Sequence, residues 1–208
     1  MSYKVAKEFL LPRHYSGRVP SISHAFGWYF DGELMAVCTF GKPASPYLCR
    51  GVCGEEHANK VLELNRLCRL EQLKAPLSYF VSYCLRELSK CNLIIVSYSD
   101  TEMNHTGYIY QACNFLYTGE TKSRTDKYTE GNKHSRHYDK EQDNGLRKIR
   151  SPKHRYVFFA VKNKKTKKLL LESLNYPVEP YPKGANKTYK LGEFLQPKVI
   201  HGQELESI

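Results

Sequence analysis

Four consecutive apolar residues, Leu93-Ile94-Ile95-Val96, restrict this chain more than any other stretch. Side chains alternate between the two faces of a strand, so a run without polar interruption must be covered on both faces. The segment before it, Pro76 to Lys90, places Leu77, Phe80, Val81, Cys84, Leu85 and Leu88 at helical spacing, and Pro76 suits a first helical turn. A buried strand joined to an amphipathic helix predicts an α/β sheet with helices on its faces.

Other segments extend the pattern. Asp31-Gly32 between two apolar runs, within Gly27 to Phe40, predicts a hairpin. Tyr47-Leu48-Cys49 reads as a short strand. Val61 to Leu70 alternates as a strand, with Leu62, Leu64 and Arg66 on one side and Val61, Glu63, Asn65 and Leu67 on the other. Leu93 to Tyr98 is the buried strand, Thr106 to Asn114 a helix, and Phe115-Leu116-Tyr117 a strand. Arg155 to Val161 is a strand and Lys162 to Leu174 a helix with a basic face. The Pro-rich end reads as extended. The expected organisation is a single domain over residues 1–183, with a basic insertion at 121–153 before the last strand-helix pair, and an extended polar tail at 184–208.

Charge is distributed unevenly. Residues 121–168 hold 16 Lys and Arg against 5 Asp and Glu, which accounts for the entire net charge of +11. Such a block is either a solvated loop or a footprint for a polyanion. Interleaved Tyr128, His134, His137, Tyr138 and Tyr156 favour stacking on bases. Within it GNKHSRHYDK and SPKHRY repeat a Lys-His pair followed by Arg. Lys133, Arg136, Lys153 and Arg155 are therefore candidate phosphate contacts, with His134 and His137 placed to stack on or approach a base.

No apolar run reaches 18 residues, so no membrane span is expected. The N-terminal MSYKVAKEFLLPRHY lacks the apolar core of a secretory signal, which predicts an intracellular protein. Cys38, Cys68, Cys84, Cys91 and Cys113 lie in apolar segments and read as buried reduced thiols. Cys49, Cys53 and His57 do not have a standard zinc spacing, and no metal is assigned.

The richest chemistry follows the apolar run. SYSDTEMNHTGYIYQACNFLYTGE sets Ser99, Asp100, His105 and four tyrosines at a strand-to-helix junction. A carboxylate at a strand end and a phenol one helical turn into the following helix suit proton management at an amine. Each also has a plain structural reading: Asp100 as a helix cap, the tyrosines as core aromatics, Arg66 as a surface residue.

With HYSGRVPS near the start and LNRLCRL in the strand expected from Val61 to Leu70, this block resembles the Mom family of bacteriophage DNA-modification proteins. The blocks that carry the resemblance are Ser99-Asp100, His105-Thr106-Gly107, Tyr110-Gln111-Ala112-Cys113-Asn114 and Phe115-Leu116-Tyr117-Thr118-Gly119. It implies a fold like that of the Gcn5-related N-acetyltransferases, a mixed central sheet flanked by helices. It also implies an acyltransferase acting on adenine N6 in double-stranded phage DNA within the bacterial host cytoplasm, so blocking restriction. Asp100, Tyr110 and Ser99 would be catalytic. Arg66, Arg69, Lys74 and Ser78 would bind the cofactor, acetyl-coenzyme A. The loop Glu71 to Ser78 departs from the acetyltransferase pattern because it has no glycine to let backbone amides approach a pyrophosphate. Two other functions fit: a non-catalytic DNA-binding module, or an acetyltransferase acting on a small amine or a protein.

Overall fold

The computed structural model describes residues 1–129, 145–184, 191–192, 196 and 198–201. Helix α1 (Tyr3–Leu10) leads into the hairpin of β1 (His24–Phe30) and β2 (Glu33–Gly41). Then come α2 (Pro46–Cys53), β3 (Val61–Arg69), α3 (Leu77–Leu88), β4 (Leu93–Asp100), α4 (Tyr108–Ala112) and β5 (Leu116–Glu120). The chain continues through β6 (Arg124–Lys127), β7 (Leu146–Arg150), β8 (Lys153–Ala160), α5 (Lys164–Glu172) and β9 (Val199–His201).

The expected hairpin forms because Asp31 and Gly32 both adopt left-handed backbone, φ 48° and 81°. That is what a two-residue turn needs to match strand twist. Six strands make one sheet in the order β1-β2-β3-β4-β8-β5, with β3 and β4 parallel and the other neighbours antiparallel. Ile94, Ile95 and Val96 are fully buried, as their uninterrupted run predicts. Each stabilises the fold by about 1.5–3 kcal/mol relative to an exposed side chain. Ile95 packs with Leu62, Leu64 and the α3 residues Phe80, Val81 and Cys84. Ile94 and Val96 pack on the opposite face with Val61, the α2 residue Val52 and the α5 residue Leu170. On that same face, Val37 and Cys68 meet Ala6, Phe9 and Leu10 of α1. The result is the mixed, helix-flanked sheet that the resemblance implied.

Three expectations need correction. Tyr47-Leu48-Cys49 lies in α2, because Ser45 caps it (its hydroxyl accepts from the Leu48 N–H) and Pro46 opens the first turn. Cys91 is exposed, since it sits in the turn before β4 rather than in the strand; all seven cysteines are free thiols. Strict alternation along β3 also fails. The pairs Phe40↔Leu64 and Thr39↔Arg66 leave Asn65 as an extra residue, a β-bulge. Asn65 is pinned there by the Thr39 hydroxyl at 2.7 Å and by its own amide donating to the Ser21 carbonyl at 2.9 Å. The bulge carries Arg66 to the face of Cys68, away from Leu64.

The bulge also marks where the sheet opens. The parallel ladder runs from Val61↔Ile94 to Leu64↔Ser97 and stops. Beyond it β3 follows β2 to Arg69↔Ala36, while β4 follows β8 to Asp100↔Lys153. A wedge is left between the carboxyl ends of β3 and β4. Two strands of the basic region join one from beyond residue 183 in a second sheet, of order β6-β7-β9, which local patterning had not revealed. Among the described residues no helix is long and apolar enough to cross a membrane.

Candidate active site

Ser97 stands at the last rung before the strands part. Its hydroxyl donates to the Leu64 carbonyl at 3.0 Å across the two strands. The Tyr110 phenol is hydrogen-bonded to this serine, reaching the wedge from the α4 side of the sheet. The Tyr110 ring is held by Phe115 and Tyr156, each with centroids 5.4 Å away. Burial drives the Tyr110 pKa well up, so the phenol keeps its proton throughout the neutral range.

The loop after α1 fills the wedge from the other face. His14 and Tyr15 stack with ring centroids 4.4 Å apart. Burial, then the charge of Asp100, push Tyr15 up to about 12, while Arg66 pulls it down. Tyr15 in turn acts electrostatically on Tyr110, so Asp100, Arg66 and Tyr110 all converge on one phenol. His14 is held neutral. Burial first, then the nearby Arg66 and His105, lower its pKa to about 3. Its Nδ1 accepts the Ser16 N–H at 3.2 Å, which places the ring proton on Nε2.

Asp100 closes β4. Burial raises its pKa, but the Lys153 charge and hydrogen bonds from Lys153, Ser151 and the Glu102 N–H together outweigh that and lower it. The Ser151 hydroxyl donates at 2.6 Å and the Glu102 amide at 3.1 Å, both to Oδ1, while Lys153 pairs with Oδ2. Asp100 therefore both caps the turn after β4, as its plain structural reading had it, and presents an ionised carboxylate to the wedge.

The other candidates fall in several places. Ser99 is 5% exposed, and its Oγ finds no hydrogen-bond partner among the described residues. Arg66 donates from Nε to the Arg18 carbonyl at 3.1 Å and lines the wedge. Arg69 donates from Nη1 to the Ala75 carbonyl at 3.2 Å, which shapes the loop before α3. Lys74 is exposed in that loop and Ser78 is half-buried in the first turn of α3. Lys153 is committed to Asp100. Arg155 donates to the Thr118 hydroxyl and carbonyl at 3.0 and 2.8 Å and lies 3.5 Å over the Tyr176 ring. Lys133, His134, Arg136 and His137 lie outside the described residues. Sequence reasoning gave no role to His14, Tyr15 or Ser151. The first two stand in the HYSGRVPS block, but no spacing ties them to Asp100.

The start of α3 is where an anionic carrier would fit. Pro76 precedes it without a side-chain cap, and no acidic residue occupies its first turn. Open amides of a helix start next to Lys74 suit a phosphate group, even without glycine in the loop.

The site is thus a mixed sheet split between parallel strands, with a protonated phenol and an ionised carboxylate at the split. The chain belongs to the Mom protein family, whose model matches residues 1–183. Among solved structures, an N-acetyltransferase from Staphylococcus aureus Mu50 is similar at a TM-score of 0.41 and 12% identity, covering 65% of this chain and 67% of that one. A Bacillis subtilis acetyltransferase in complex with CoA is similar at a TM-score of 0.40 and 15% identity, covering 76% and 84% respectively. No curated protein matches.

Proposed function

We propose that this chain transfers a small acyl-type group to adenine N6 in phage DNA, protecting the DNA from restriction. The observation that carries the reading is the convergence of Tyr110, Tyr15, Asp100 and Arg66 on one wedge in a member of the Mom family. Adenine N6 is a weak nucleophile and is paired inside a duplex, so the base must be everted and its amine held. The Asp100 carboxylate can accept an N–H from that amine, and its anchors fix where it points. Arg66 offers positive charge on the same face. Tyr110 holds a proton at its phenol oxygen at the apex, ready to meet developing negative charge. Lys74 and the first-turn amides of α3 would hold acetyl-coenzyme A or a related acyl thioester. When bound, that group supplies the electrophilic acyl carbon. A DNA-binding module without chemistry is favoured by the glycine-free loop 71–78, whereas the family match and the ionised Asp100 acting on Tyr15 favour an enzyme.

The test is mass spectrometry of nucleosides from DNA of cells expressing the chain. A heavier deoxyadenosine is expected, and an unshifted pool overturns the reading. Tyr110→Phe keeps the packed ring and removes the proton. Its modified fraction should fall about 10²- to 10⁴-fold in rate, with DNA affinity retained.

A further inference from the structure

The small sheet carries an unusual crowding of like charge. Lys148 and Arg150 lie two residues apart on β7 and so share a face of the sheet. Arg18, from the loop after α1, comes close to both. Arg150 lowers the pKa of Arg18 after burial, and Arg150 and Arg18 both lower that of Lys148 after burial. All three are half-buried. Among the described residues only Arg150 of the three has an acidic partner in contact, Asp126 at 2.8 Å, although Asp126 also stands opposite Lys148 in the ladder of β6 and β7. Asp126 is shared with Arg124 at 3.8 Å. Glu102, which also acts on Lys148, is paired with Lys198 at 3.0 Å. The Arg18 guanidinium and the Lys148 ammonium have no hydrogen bond or ion pair among the described residues. Holding three cations together at partial burial costs free energy that Asp126 and Glu102 offset only in part, since the Lys148 pKa stays lowered despite both carboxylates.

The cluster also has a defined position. Arg150 precedes Ser151, whose hydroxyl holds Asp100. The Arg18 carbonyl accepts from Arg66. Arg150 is therefore next in sequence to the residue that anchors one wall of the wedge, Arg18 touches the other wall through Arg66, and Lys148 shares the Arg150 face of β7.

We infer that Arg18, Lys148 and Arg150 form a clamp for a backbone phosphate of the DNA strand whose base occupies the wedge. The inference rests on the DNA reading above and adds the site that positions the nucleotide. A phosphodiester supplies the negative charge that Asp126 and Glu102 leave short, next to a wedge that takes the base. Lys153 and Arg155, by contrast, are already engaged by Asp100 and by Thr118 with Tyr176.

The test uses the full chain and a double-stranded oligonucleotide, with affinity followed by fluorescence anisotropy across a range of salt. Lys148→Gln and Arg18→Gln should each weaken binding about five- to tenfold near 0.15 M salt and reduce the salt slope by about 0.9. Lys164→Gln, an exposed cation on α5, should change neither. Each clamp variant should also melt higher than the parent in the absence of DNA, because it relieves repulsion. A merely structural role would lower the melting temperature instead. Unchanged affinity and slope in both clamp variants, with DNA bound normally by the parent chain, would remove the clamp and leave the DNA reading intact. A parent chain that does not bind DNA at all would remove both.

Discussion

His14 shows how one residue's surroundings set its chemistry. It is 5% exposed, and its pKa is lowered to about 3 by burial and by the neighbouring Arg66 and His105. An imidazole that stays neutral when folded, but takes a proton at its ordinary 6.5 when unfolded, makes stability depend on pH. The penalty is absent above pH 6.5, begins as pH falls through that value, and grows until about pH 3. Its slope is about 1.4 kcal/mol per pH unit. Thermal melts between pH 7 and pH 5 should therefore show a falling melting temperature, and His14→Gln should flatten that dependence. An unchanged pH profile in the variant would show that His14 is not the group responsible. Asp100 contrasts with it. As a depressed carboxylate it contributes stability that is complete above its ordinary 3.8 and lost only as pH falls below that value. The His14 effect thus begins well before that of Asp100 as pH falls, and the two overlap only below pH 3.8.

At the scale of elements, α4 shows what much of the family-like block is for. Gly107 opens the helix at φ 79°, and a Cβ there would stand 2.4 Å from the Tyr156 ring. Asn114 closes it in left-handed backbone at φ 58°, and the Phe115 N–H bonds back to the Tyr110 carbonyl at 3.0 Å. Gln111 ties the helix to its surroundings through the Thr106 carbonyl at 2.9 Å, the Tyr156 hydroxyl at 3.2 Å and the Pro182 carbonyl at 3.3 Å. A helix of one and a half turns has little stability of its own. These anchors are what hold the Tyr110 phenol against Ser97. Gly107→Ala combines a disfavoured backbone with a ring clash and should cost about 2–4 kcal/mol. Calorimetry should show the melting temperature falling on the order of 5–10 °C. A variant as stable as the parent would mean that Tyr156 gives way freely.

Over the whole molecule, the two sheets divide the labour of fold and surface. The six-stranded sheet carries the core and the wedge, while the small sheet carries the cationic cluster. The family's model ends at residue 183, yet β9 lies beyond it and pairs with β7 through Leu146↔His201, Arg147↔Ile200 and Lys148↔Val199. A chain ending at Gln196 loses that strand and the acceptor of the Ile149 N–H, the Lys198 carbonyl at 2.9 Å. Hydrogen exchange on this shortened chain should show the Ile149 amide unprotected, with Ile94, Ile95 and Val96 protected as before. Loss of protection at those three would show that the small sheet supports the large one.

The sequence alone determined the order of the main strands and helices, the Asp31-Gly32 turn, the buried centre and the family. Those signals are local: they depend on spacing along one segment, or on a contiguous block such as residues 97–120. Tertiary structure decided the rest. A single extra residue in β3 turned Arg66 to the other face, and no pattern within that strand announces a bulge whose pins are Thr39 and Ser21. The partners of Asp100 came from 51 and 53 residues away, at Ser151 and Lys153, and His14 with Tyr15 came from the opposite end of the domain. Burial and charge act through space, so which phenol keeps its proton, and which lysine is already paired, becomes fixed only once distant segments share one wedge.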